Sequence, residues 1–198
     1  MIKLLKGLTL ALALTSFGAI ADDVTSLQKI IFKQEAFKSS FNQDVKRSDG
    51  KEVAKSSGTL ALKRPDRLML HTLSPDEQVL FTKGNDVLYY DPFVNQVSIF
   101  SKKNLYTSPF MLLTSKSSEI WGKYTVKACG DTYTLTPKSV GEVRSIKIVV
   151  ANDAIKDLYI LMKDGNTNHY ALSDITYSVS DSVFDYTIPQ DVQIDDER

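Results

Sequence analysis

From about Ser57 to Tyr177 the chain is written almost entirely in short β-favouring runs separated by tight turns. The runs are Gly58–Leu62, Arg67–Leu73, Gln78–Thr82, Val87–Tyr90, Val97–Phe100, Tyr124–Ala128, Thr132–Thr136, Arg144–Val150, Asp157–Met162 and Asn168–Tyr177. Gly84-Asn85, Gly130-Asp131, Asn152-Asp153 and Asp164-Gly165 punctuate them. A parallel crossover needs a dozen residues or more, so strands spaced this closely pair as antiparallel neighbours. Many such strands imply a sandwich or a barrel, whole or partial.

Two segments depart from that pattern. Thr25 or Ser26 is placed to cap a helix, and Leu27, Ile30, Ile31, Gln34, Phe37, Lys38 and Phe41 follow a helical rhythm up to the Asp49-Gly50 turn. Pro109 to Thr114 is apolar without polar alternation, and Ser108-Pro109 suits a helix start. A helix apolar on nearly all faces must lie against apolar surface. On the residues alone it reads equally well as a plug for a barrel end or as a lid.

The first residues have the form of an export signal. Lys3 and Lys6 charge its start, Leu8 to Phe17 supply an apolar stretch, and Ala19-Ile20-Ala21 is a cleavage sequence. Residues 1–21 are therefore expected to be removed, leaving residues 22–198 as one domain. Asp22, not cysteine, follows the cut, so the expectation is an exported chain without a lipid anchor, free in a periplasm-like compartment. Losing Lys3 and Lys6 takes 24 basic residues to 22 against 24 acidic ones, a net charge of −2. That balance gives no basic footprint for nucleic acid and no polybasic membrane patch. Cys129 is the one cysteine, so no internal disulfide forms. It reads as a small buried hydrophobe at a strand end.

Catalytic patterns are scarce. His71 and His169 are the two histidines, and neither has metal-ligand spacing to the other or to Cys129. There is no G-x-S-x-G elbow and no phosphate-cradling glycine loop. No cofactor, metal or catalytic residue is expected, and the chain reads as a binding protein rather than an enzyme.

An ordered set of segments resembles the LolA family of outer-membrane lipoprotein carriers over nearly the whole exported chain. The set comprises the Leu27, Ile31, Phe37 and Ser40-Phe41-Asn42-Gln43 region, Lys63-Arg64-Pro65, Pro75-Asp76-Glu77 and Tyr90-Asp91-Pro92-Phe93-Val94-Asn95-Gln96. Ser108-Pro109-Phe110-Met111-Leu112-Leu113, Leu135-Thr136-Pro137-Lys138, Pro189-Gln190-Asp191-Val192 and Asp195-Asp196 complete it. The resemblance implies an incomplete, half-open antiparallel β-barrel closed by short helices around an apolar cavity. It also implies a monomeric periplasmic chaperone. Such a carrier takes acylated lipoprotein cargo from an inner-membrane lipoprotein-releasing ABC transporter to the outer-membrane lipoprotein receptor LolB.

The resemblance further assigns roles. Arg64, on the residues alone a surface arginine beside a turn, is expected to latch backbone carbonyls near Ile31, Leu113 and Thr114 and so hold the empty lid shut. Leu27, Phe110, Met111, Leu112, Leu68 and Leu70 are expected at the lid and cavity. Strand alternation sets Leu68 and Leu70 on one face and Met69 and His71 on the other, without saying which is inside. Ala61 and Leu70 stand where the family admits aromatics, which implies a reshaped cavity. A shuttle for another lipid or apolar ligand is the alternative reading.

Overall fold

The computed structural model describes residues 19–105 and 108–198. Most of the export-signal region, residues 1–18, lies outside the described residues. Helix α1 spans Ala19–Ile31. It is followed by β1 (Ala36–Lys46), β2 (Glu52–Lys63), β3 (Arg67–Ser74), β4 (Gln78–Lys83), β5 (Asp86–Asp91) and β6 (Gln96–Ser101). Three short helices come next: α2 (Lys102–Leu105), α3 (Pro109–Thr114) and α4 (Ser118–Trp121). Then β7 (Tyr124–Cys129), β8 (Thr132–Pro137), β9 (Val143–Ala151), β10 (Ala154–Met162) and β11 (Thr167–Thr176) lead to a 3₁₀ turn at Asp181–Phe184 and a final strand, β12 (Gln193–Asp196).

All the strands join one open sheet in the order β12-β6-β5-β4-β3-β2-β1-β11-β10-β9-β8-β7. The edge strands β12 and β7 do not pair, so the expected incomplete barrel is the observed architecture. One pairing is not antiparallel. The chain after β11 crosses the outer face of the sheet and reaches β6 from the same end, so β12 runs parallel to it, with Ile194 opposite Val97.

The helical rhythm through Phe41 does not hold. α1 starts ahead of Thr25 and Ser26, which are therefore not its caps, and it ends at Ile31. Phe37, Lys38 and Ser40-Phe41-Asn42-Gln43 lie in β1, paired on one side with β2 and on the other with β11. Phe37 and Phe41 satisfy both periods, being four apart. Two strand neighbours on either side override the weak local preference.

The sheet sorts its side chains onto two faces. Leu60, Leu62 and Leu68 turn inward and pack with Phe37, Phe41 and the helices, with Leu70 and Leu80 partly buried beside them. Ala61, Met69, Val79, Phe81 and Tyr90 turn outward and are covered by Val179, Val183, Phe184 and Tyr186 of the C-terminal segment. The inside face is thus settled: Leu68 and Leu70 are inside, Met69 outside. Ala61 is outside too, so its small size does not reshape the interior. Gly58, at a register shift against β3, lets β2 and β3 approach closely; a Cβ there would sit 2.0 Å from the His71 carbonyl oxygen. Cys129 is exposed at the β7 edge rather than buried, because β7 has no outer neighbour there.

Candidate functional site

The concave face is filled by the protein's own helices. α1 lies against β7 and β10, and α3 against β2 and β3. Leu27 and Ile31, one helical turn apart, are the buried anchors of α1, at 0% and 4% exposed. In α3 every residue from Pro109 to Thr114 is buried. Phe110 meets Tyr170 of β11 edge to face at 5.1 Å, and Tyr170 meets Phe41 at 5.6 Å. Burial pushes the Tyr170 phenol up to about 12. A six-residue helix is not stable by itself. Full burial of Phe110, Met111, Leu112 and Leu113, at roughly 1.5–3 kcal/mol each before ordering costs, is what holds α3 in place.

Arg64 directly follows β2 and sits where α1 and α3 converge, 6% exposed. Its backbone N–H donates to the Glu35 carbonyl at 2.9 Å. Nη1 donates to the Gln34 carbonyl; Nη2 donates to the carbonyl of Ile31 and, at 3.3 Å, to that of Leu113. Ile31 closes α1 and Leu113 lies in the last turn of α3. Helix C-termini leave carbonyls unpaired and carry partial negative charge, so one guanidinium serves the ends of two helices at once. Burial pushes Arg64 down to about 10, with Glu35 acting to raise it, so the group stays charged at neutral pH.

The remaining carbonyl-side surroundings are aromatic. Arg64 lies over the Phe32 ring, 5.2 Å from its centroid. Phe32 in turn packs edge to face on Trp121 at 5.9 Å. Trp121 of α4 is 2% exposed and donates its indole N–H to the Ser115 carbonyl at 2.7 Å. Lys116, just past α3, pairs with exposed Glu35 at 2.9 Å and draws its carboxyl below the usual range.

Of the residues expected at the latch, Ile31 and Leu113 accept hydrogen bonds from Arg64, whereas Thr114 does not. The Thr114 hydroxyl donates to Met111 within α3, at 2.8 Å. Gln34 takes the third position. The helical reading through Phe41 concealed it, because a carbonyl inside a helix is already paired, whereas residue 34 lies in the turn after α1. Leu27, Leu68, Phe110, Met111 and Leu112 gather in one core, with Leu70 partly buried at its margin.

A second tie lies two residues beyond Arg64. Lys102, at the start of α2, has a side chain 8% exposed and reaches Asp66 at 2.8 Å. Its backbone N–H donates to the Asn85 carbonyl at 3.0 Å. The turn between β2 and β3 thus holds the root of the helical segment as well as its far end. Sequence reasoning missed this pair because its signal is one buried lysine among 24 basic residues.

A narrow cleft opens beside the Arg64 contacts, lined in part by Ile30, Ile31, Gln34, Phe37 and Ile155. Its volume is about 30 Å³, room for water. Among the described residues no cluster of His, Cys, Asp and Glu has the makings of a metal site. No described helix is long and apolar enough to cross a membrane.

Comparison with known proteins follows the same lines. The family model for the outer membrane lipoprotein carrier protein LolA matches residues 33–187. An outer-membrane lipoprotein carrier protein of Pasteurella multocida (strain Pm70) is 35% identical over 199 residues, covering 98% of this chain and 97% of its own length. Its counterpart in Yersinia pestis bv. Antiqua (strain Angola) is 39% identical over 189 residues, covering 93% and 94%. An uncharacterized conserved protein from Thermus thermophilus shares the fold, with a TM-score of 0.54 at 10% identity over 89% of this chain and 99% of that one.

Proposed function

This chain belongs to the LolA family of outer membrane lipoprotein carrier proteins, and from that premise we propose that it is a periplasmic chaperone whose concave face takes the acyl chains of lipoproteins in exchange for its own lid. Residues 1–21 are the export signal removed on the way to that compartment. The protein acts as a carrier and not as an enzyme. It receives cargo from an inner-membrane lipoprotein-releasing ABC transporter and passes it to the outer-membrane receptor LolB.

The single observation that carries this reading is the way Arg64 ties Ile31 and Leu113 together over an apolar interior. Each CH₂ kept from water contributes roughly 0.8 kcal/mol, so a chain of about sixteen carbons gains roughly 12 kcal/mol from an apolar site. That matches the gross apolar burial of Phe110 to Leu113, roughly 6–12 kcal/mol by the same scale. One acyl chain and the lid are therefore near-equal competitors for one surface. A charge-assisted hydrogen bond adds roughly 1.5–3 kcal/mol to the closed side. That is enough to make the carrier give its cargo up, and too little to prevent loading.

The test is recovery of the protein from the periplasm of cells producing it, followed by mass spectrometry of whatever is bound. The reading predicts proteins acylated at an N-terminal cysteine. Free lipids without acylated protein would instead make the chain a shuttle for another apolar ligand.

A further inference from the structure

Ser39 is 1% exposed, and its Oγ has no hydrogen-bond partner among the described residues. It faces inward. Phe37 and Phe41 flank it two residues away on β1, and both belong to the inner core. Its partner across the β1–β2 ladder is Leu60, which also points inside. The row continues from Leu60 to Leu70 on β3 and Leu80 on β4. Residues directly opposite one another on a sheet share a face, so these four side chains form one line across the interior.

The line changes character along its length. Ser39 and Leu60 are fully buried, while Leu70 and Leu80 are only partly buried beside the same core. A hydroxyl therefore stands at the enclosed end of an apolar track. Burying a hydroxyl without a partner costs free energy that alanine would not incur. The other buried side-chain polar atom lacking a partner among the described residues, Arg64 Nε, belongs to a side chain already engaged with Ile31, Gln34 and Leu113. Ser39 has no such engagement in the closed state.

We propose that Ser39 donates its hydroxyl to an ester carbonyl of the cargo's acyl group once the lid has moved, fixing the head of one chain while its tail lies along Leu60, Leu70 and Leu80. This rests on the carrier reading and names the chemical group that its site recognises. An ester carbonyl offers an acceptor and no donor, which a lone hydroxyl complements. An ether-linked chain of the same length offers the same apolar area without the carbonyl.

The experiment measures binding of two synthetic lipopeptides to the purified protein and to Ser39→Ala. One carries a palmitoylated, S-[2,3-bis(palmitoyloxy)propyl]cysteine head. In the other the two ester-linked chains are ether-linked. The wild type is expected to prefer the ester form by about two- to tenfold, the range for one neutral hydrogen bond. Ser39→Ala is expected to bind both forms equally, at the wild-type affinity for the ether form, which also shows that it is folded. An ester preference unchanged in Ser39→Ala, or none in the wild type, overturns the proposal. Failure of the wild type to bind either lipopeptide overturns the carrier reading and this proposal with it.

Discussion

Arg64 and Leu113 meet across the seam between the sheet and α3, the arginine's Nη2 donating to the leucine's backbone carbonyl at 3.3 Å. The same nitrogen donates to the Ile31 carbonyl, so one side chain couples the end of α1 to the end of α3. Arg64→Leu keeps bulk and removes every donor. Three carbonyls then lose their partner, and the one on α3, Leu113, by itself contributes about 1.5–3 kcal/mol to closure. Amide exchange at Leu112 and Ser115, whose N–H groups bond within and just after α3, should accelerate roughly 10- to 100-fold. Arg64→Lys should restore only part of this, because an ammonium lacks the planar fork.

The turn that carries Arg64 also carries Asp66, paired with the nearly buried Lys102. Asp66→Ala leaves that lysine buried without its carboxylate. Asp66 is itself partly exposed, which reduces the loss to about 1–2 kcal/mol. Replacing both partners, Asp66→Ala with Lys102→Met, should recover most of it. Urea denaturation of the single and double variants checks this.

Tyr170 reports closure through its ionisation. Burial beneath Phe110 raises its phenol to about 12 from the ordinary 10.0. An acid whose folded value lies above its unfolded value leaves stability unaffected below pH 10. It then costs stability as pH rises from about 10 to about 12, by roughly 2–3 kcal/mol in all. The tyrosinate absorbance missing from Tyr170→Phe should therefore be a late-titrating component. In Arg64→Leu that component should move back toward pH 10.

How much of this was legible beforehand follows from how local each signal is. The antiparallel strands from β2 to β11 announced themselves through turn glycines and asparagines a few residues apart. The short helix at Pro109 stood out by its composition. β1 did not, because Phe37 and Phe41 fit a helix as well as a strand, and only the ladders with β2 and β11 decide. β12 is short and acidic, and it exists because the C-terminal segment crosses the outer face. At the site, Arg64 was visible only through the family resemblance. Gln34 and Lys102 depend on where helices end in three dimensions, which no spacing records.

The outer face should be separable from the inner one. Phe184 packs with Met69, Phe81 and Tyr90, and Arg67 lies over its ring at 4.7 Å. Phe184→Ala is expected to cost about 3–5 kcal/mol of global stability. Because that core lies across the sheet from Phe110 to Leu113, lipopeptide affinity should stay within about twofold of wild type, within the tolerance of additivity for distant sites. Calorimetric melting and a binding titration on the same sample check both halves.

Trp121 is the only tryptophan in the chain, and it is buried beside Phe32 at the junction that Arg64 holds. Its fluorescence is therefore the most direct measurement of the central claim, that acyl chains and the lid compete for one surface. Titration with a triacylated lipopeptide should shift Trp121 emission saturably, and at lower ligand concentration in Arg64→Leu than in wild type. The same peptide without acyl chains should leave it unchanged. Saturable binding of the acylated form with no change in Trp121, or an equal response to the unacylated peptide, would contradict the account.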